Sequence, residues 1–264
     1  MSVITDGVDE VRRAAREELR KGATQLKIFA TGGVVFPSAG TSTRYEFSMD
    51  ELLAIVDEAG ARSTYVMAHA YTDESIRRCL SAGVRSIEHG NYASEATIAM
   101  IAQHGAFLDP TFISLVERIE TAAQNSLAPQ IVENLKRTTE CGKQVYAWAR
   151  KHGVPIALGT DLWGPEAQQS QIRELPLRQE FDTPAAILHS ATVTNAELLQ
   201  RKGKLGVIAP GAHADLLAVQ GDPLSDLRVL LDSSNIKLIM KAGSVVKNEI
   251  LIHAFHEADA GAAS

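Results

Sequence analysis

The stretch YVMAHAYTDESIRRCLSAGVRSIEHGNY, from Tyr65 to Tyr92, constrains the fold more than any other. Tyr65 to Ala70 is short and apolar and carries His69 near its end. Thr72 then caps a helix with Ile76, Cys79 and Leu80 on one face, and Gly83 ends it. Val84 to Glu88 reads as a second strand, ended by His89-Gly90. Two parallel strands joined by a crossover helix bring their carboxyl ends to one rim of a sheet. His69 and His89 are therefore expected to be neighbours in space. Imidazoles meeting there suit a metal ion, although two satisfied core histidines would show the same spacing.

The bulk properties narrow the class. A chain of 264 residues can bury one α/β core with a small appendage. A formal charge of -6 with no basic block argues against nucleic acid or an acidic membrane surface as partner. Cys79 and Cys141 are isolated, which leaves neither a disulfide framework nor a CxxC metal clip. No apolar run approaches the ~18 residues of a membrane span, and Met1 to Gly7 does not read as a signal peptide. A cytoplasmic enzyme-like domain is expected.

Strand and helix alternate along the rest of the chain. A helix is predicted over Val8 to Lys21 with Asp6 as its cap, then a strand over Thr24 to Ala30. On that strand Leu26, Ile28 and Ala30 share one side, so in a barrel Lys27 projects inward. A Gly-, Ser- and Thr-rich loop, Thr31 to Phe47, leads to the Ser48-x-x-Glu51 capping box of the next helix. After the histidine unit come a helix from Ser94 to His104 and a strand over Ala106 to Pro110. Thr111 to Lys151 reads as irregular loop followed by a helix, with Pro129 near its start. A fifth strand is predicted over Val154 to Asp161, with Ala157, Gly159 and Asp161 facing in, and a last helix over about Thr183 to Leu199. From Gly203 short strands are punctuated by Pro210-Gly211, Gly221-Asp222-Pro223 and Ala242-Gly243. The expected division is a partial barrel over 1–200, a C-terminal β-rich segment over 201–252, and a flexible tail over 253–264.

Lys27 in KIFATGG, His69 in AHAYT, His89 in SIEHGN and Asp161 in LGTD resemble strands four, five, six and eight of the amidohydrolase superfamily. The run from APGAHADLLAV through GDPLSDL to AGSVVKN is similar to its C-terminal β-sandwich segment. Taken singly, Lys27 would read as solvated, Asp161 as a helix cap and the histidines as core; together, in order, they carry the likeness. The resemblance implies an α/β fold, a partial (β/α)8 TIM barrel with strands four to eight, and metal-dependent hydrolysis of amide or peptide C–N bonds. It implies two divalent ions, zinc by expectation, bridged by a carbamate formed from Lys27 and carbon dioxide. His69 and His89 would hold one ion and Asp161 the other, with Asp161 also serving as the acid–base group. Within the superfamily the motifs look most like the branch of Xaa-Pro dipeptidases and metal-dependent carboxypeptidases. That likeness implies dipeptides or N-acyl amino acids as substrates and gives Tyr71 the substrate α-carboxylate; packing in a loop is its other reading. Arg44, in the loop after Lys27, could meet the same anion or simply be solvated. The six other histidines read as structural or solvated.

The sequence departs from the superfamily pattern in offering five barrel strands rather than eight, in carrying only the C-terminal share of the β-sandwich, and in its ligands. The superfamily's opening strand ends in His-x-His, and no His-x-His occurs in these 264 residues. The chain therefore reads as the latter part of an amidohydrolase, cut before strand four, with at most one tightly held metal. A cyclic-amide hydrolase of the imidazolonepropionase kind is the alternative enzyme; a non-catalytic remnant, or half of a split enzyme, is the alternative class. Sheet edges left open at the first strand and in the C-terminal segment imply self-association or pairing with an N-terminal half.

Overall fold

Strand and helix alternate from the first described residues onward. The computed structural model describes residues 2–34 and 45–250. The chain divides into two compact units, Met1–Asp161 and Leu162–Ser264. In the first, the order is α1 (Val8–Arg20), β1 (Leu26–Phe29), α2 (Met49–Gly60), β2 (Val66–Thr72), α3 (Asp73–Ala82), β3 (Ser86–Tyr92), α4 (Glu95–Gln103), β4 (Phe107–Asp109), α5 (Phe112–Glu120) and α6 (Pro129–His152). The four strands form one parallel sheet in the order β1-β2-β3-β4. This is an α/β fold consistent with part of a TIM barrel.

Register divides the sheet into two faces. Partners in a parallel ladder point the same way, and successive residues alternate. Lys27, Met67, Ser86 and Phe107 form one row across the four strands, and Phe29, His69, Glu88 and Asp109 form the next. The opposite face carries Val66, Ala68, Ile87 and Leu108, all fully buried, as are Ile76, Ile98 and Ile101 on α3 and α4. Burying each such aliphatic side chain contributes about 1.5–3 kcal/mol, so this layer holds the sheet that presents the polar rows.

The predicted boundaries need three corrections. Asp6 does not cap α1: the N-cap is Gly7, and the Asp6 N–H donates instead to Glu10 Oε2 at 3.0 Å. The strand predicted over Val154 to Asp161 is reduced to a single bridge between Leu108 and Ile156. Pro155 has no N–H to add to a ladder; its carbonyl accepts from Leu108 N, and Ala157 N donates to Leu108 O. Thr111 to Glu120 is not irregular, since α5 starts at Phe112, two residues after Pro110. Thr111 makes that joint in a left-handed conformation (φ 47°) without a side-chain cap, so no capping signature marks it. In the C-terminal unit, the described residues form one antiparallel three-stranded sheet, β5 (Leu216–Val219), β6 (Ile236–Lys241) and β7 (Ser244–Asn248).

Helices precede that sheet: α7 (Pro165–Gln168), α8 (Glu174–Arg178), α9 (Pro184–His189) and α10 (Asn195–Leu198), the last two joined by a π turn over Ser190–Thr194. Within α8, Arg178 Nε donates to Glu174 Oε1 at 2.6 Å with both side chains fully buried. Arg44 and the tail over 253–264 lie outside the described residues.

Helix α6 braces the end of β3. Asn91 Nδ2 donates to Thr138 O at 3.2 Å, and Tyr92 Oη lies 2.6 Å from Thr138 Oγ1. Gly142 permits this approach, because a Cβ there would stand 2.5 Å from Asn91 Nδ2 and 3.0 Å from Phe112 Cε1. Alanine ordinarily stabilises a helix interior by roughly 0.5–1 kcal/mol over glycine. Here Gly142→Ala is expected to destabilise by about 1–3 kcal/mol through overpacking, read as a lowered urea midpoint; an unchanged or raised midpoint would refute the bracing role.

Candidate active site

Lys27, His69, His89 and Asp161 converge at the carboxyl rim of the sheet. Lys27 and His69 reach it by strand parity, since both lie in the rows on the polar face. His89 does not. In register it pairs with Ala70, which belongs to the helix-covered face. A left-handed backbone at His89 (φ 74°), followed by Gly90 (φ 66°), breaks the alternation and turns the ring to the polar side. The ring stacks on Tyr71 with centroids 4.9 Å apart and planes at 7°, and meets the His69 ring edge-on at 4.6 Å. Asp161 is likewise left-handed (φ 50°). Its Oδ1 stands 3.9 Å from Lys27 Nζ, and its Oδ2 stands 3.9 Å from His89 Nε2.

The environment keeps both imidazoles neutral. Burial pushes His69 down to about 4; the nearby Lys27 charge lowers it further, while Gly32 O, 3.5 Å from Nε2, and Asp161 pull it upward. Burial pushes His89 well below the usual histidine range, helped by His69 and Lys27. His89 Nδ1 lies 2.7 Å from Thr111 Oγ1, which fixes the ring. Its Nε2 is buried with no hydrogen-bond partner. A neutral imidazole with one nitrogen anchored and the other facing the rim is the form in which histidine binds a metal. Among the described residues no group of three or more His, Cys, Asp or Glu is arranged to hold a metal ion, so the donor set fits a cation only if Lys27 contributes.

Tyr71 is a wall of the site, 4% exposed and packed with Val34, Leu115 and Leu135. Burial pushes its phenol upward, and Asp161 and Tyr92 add to this, so it remains a hydrogen-bond donor at neutral pH.

Three contributors escaped the sequence reading. Thr111 holds His89. Glu88 and Asp109, register partners on the polar face, are both buried. Glu88 Oε1 accepts from Ser86 Oγ at 2.6 Å, and burial first, then Asp109, raises its carboxyl above the usual range. Asp109 Oδ1 accepts from Gly159 N at 2.9 Å. The available signal was parity: an acid on the inward side of a predicted barrel strand is costly unless it has a task.

A sequence profile of the amidohydrolase family matches residues 1–246. The ochratoxinase of Aspergillus niger is 31% identical over 247 residues, covering 92% of this chain and 50% of that protein. A prolidase solved with N-methylphosphonate-L-proline is 39% identical with a TM-score of 0.85, covering 94% of this chain and 60% of that one. A Xaa-Pro dipeptidase solved with methionine in its active site is 31% identical with a TM-score of 0.80, covering 92% and 59%. The chain thus spans about half the length of the curated relative and about three fifths of the solved ones.

The neutral histidines can be tested without any ligand. Lowered imidazole pKa values mean that the unfolded chain takes up protons before the folded one does. His69 therefore contributes stability that is lost as pH falls from 6.5 towards about 4. Glu88, raised, contributes with the opposite sign above the ordinary 4.5, so bulk stability does not isolate the histidines. Their imidazole proton resonances do. In the metal-free chain those of His69 are expected to stay constant from pH 7.5 to about 5, and a midpoint near 6.5 would contradict the burial argument.

Proposed function

The chain belongs to the amidohydrolase family, and on that premise we propose that it supplies the acid–base and substrate-facing rim of a metal-dependent hydrolase of C–N bonds in dipeptides or N-acyl amino acids. The convergence of Lys27, His69, His89 and Asp161, with His89 Nε2 buried and unpartnered, carries this reading. The prolidase and dipeptidase relatives support the substrate class.

In this proposal His69 and His89 would hold one divalent cation and Asp161 a second, with the carbamate of Lys27 completing the donor set; zinc is the proposed metal. When bound, the cations supply Lewis acidity and make water a nucleophile near neutral pH. The chain's own groups do the rest. Asp161, part-exposed at the rim, takes a proton from the attacking water and returns it to the departing nitrogen. The C–O bond forms as the C–N bond breaks, giving a carboxylate and an amine. Tyr71, kept protonated by burial, donates to the substrate α-carboxylate, and Arg44 is proposed to meet the same anion. The substrate is the proposed small-molecule partner; β1, which pairs with β2 alone among the described residues, is proposed to pair along its other edge with an N-terminal half or a second copy.

Without a His-x-His, one tightly held cation per chain at most is expected from elemental analysis after dialysis. Two cations, with hydrolysis abolished by Lys27→Ala, would overturn that count. The substrate class is tested with Xaa-Pro dipeptides, N-acyl amino acids, their C-terminal amides and cyclic amides. Each is offered to the chain alone and mixed with a separately produced N-terminal half that carries His-x-His. Turnover of the free carboxylates in the mixture only is the expected result. Equal turnover of the C-terminal amides would remove the carboxylate-reading role of Tyr71, and preference for cyclic amides would move the substrate class. No turnover in any mixture would leave a non-catalytic role.

A further inference from the structure

We propose that Asp109 is a positioning residue that sets the place of Asp161; the inference deepens the reading above and rests on it for its consequence in cation binding. Asp109 lies outside the four-residue set and ends β4, a strand that contributes none of the four. It stands between β3, which carries His89, and the segment that ends in Asp161.

The hydrogen bonds show how that segment is held. Leu108 N donates to Pro155 O and Ala157 N to Leu108 O, which is ordinary parallel pairing. Continuing the ladder would send Gly159 N to the carbonyl of Pro110. It donates instead to Asp109 Oδ1 at 2.9 Å. A side chain has replaced the main-chain acceptor two residues before Asp161, and the chain is released from the sheet into the left-handed conformation of Asp161 (φ 50°). A non-glycine residue persists there only where its surroundings over-determine it.

The contact is also tight. Any Cβ at Gly159 would overlap Asp109 Oδ2, so this carboxylate lies directly against backbone. Asp109 is 8% exposed and is the register partner of Glu88, which limits its freedom to move. The carboxylate of Asp161 then falls 3.9 Å from both Lys27 Nζ and His89 Nε2. Loss of the Asp109 acceptor would free the segment that fixes those distances.

The test uses the whole 264-residue chain in two arms, with Asp109→Ala, the volume-filling Asp109→Leu, and Asp109→Asn, which keeps an acceptor oxygen. In the metal-free arm, amide exchange and 15N–1H spectra are expected to show the Gly159 amide exchanging at least ~10-fold faster in the Ala and Leu variants, with shifted Thr160 and Asp161 signals. Asn is expected to restore protection. Unchanged exchange in whichever of the Ala and Leu variants folds would overturn the proposal. In the second arm, cobalt(II) affinity is expected to fall roughly 10–100-fold in Ala or Leu, and about 3-fold at most in Asn. Binding equal to wild type in a variant that has lost Gly159 protection would also overturn it. If the wild-type chain fails to bind cobalt(II) while the exchange result holds, the cation-site reading fails and the positioning of Asp161 stands.

Discussion

Side-chain alternation is the constraint that organises this rim. A parallel strand offers every second residue to each face, and here one face is committed to a fully buried aliphatic layer against the helices. Lys27 and His69 reach the polar face by parity alone, whereas His89 falls on the wrong one. The chain resolves this with left-handed backbone at His89 and again at Thr111 and Asp161. Each is a non-glycine residue in a conformation that costs of order 1–3 kcal/mol. Three such residues, within β3, just after β4 and at the close of the segment bridged to β4, mark the rim as the place where the fold spends stability on geometry.

This explains what could be read from the residues and what could not. The pairing of the Tyr65–Tyr92 strands, the Ser48–Glu51 capping box and the helix stop at Gly83 are local, and all three form. The inward side chain of Lys27 follows from period-two alternation, and it too is found. The route by which His89 reaches His69 was not legible, since a positive φ at histidine has only the following glycine as a signal. Helix α5 was hidden because its start has no capping side chain. The strand predicted before Asp161 failed for a tertiary reason. Its residues have the right pattern, but Pro155 and the Asp109 side chain take the place of a regular ladder. Glu88 and Asp109 were visible in the sequence, yet their meaning depended on a cross-strand register that only the assembled sheet supplies.

Packing and electrostatics at the rim serve the same end. The stack of His89 on Tyr71 and the edge contact with His69 exclude water from both imidazoles. Desolvation then holds the rings neutral more firmly than Asp161 can charge them. Neutrality leaves ring nitrogens available as lone-pair donors, and Thr111 settles which nitrogen of His89 that is. The wall that Tyr71 provides thus shapes the surroundings of both imidazoles even before any substrate is considered. Removing its ring would admit water and loosen both histidines together, so the aromatic packing and the placement of the two imidazoles cannot be varied independently.

Charge balance in the polar rows gives the site a further property. One ammonium, that of Lys27, faces Asp161 and the buried acids Glu88 and Asp109. With every carboxylate ionised the interior would carry excess negative charge in a desolvated space, which is expensive. The metal-free chain relieves part of this by raising Glu88, so that a proton is retained there. On the proposed reading, divalent cations would supply the missing positive charge from the other side of the same balance. A site so composed is stabilised by whatever cation it binds and is under strain without one. Beside the left-handed residues at its edge lie two hydrogen bonds, from Gly159 N to Asp109 and between His89 and Thr111. The first of these bonds is accepted by Asp109 of β4, a strand of three residues that itself carries no member of the proposed ligand set.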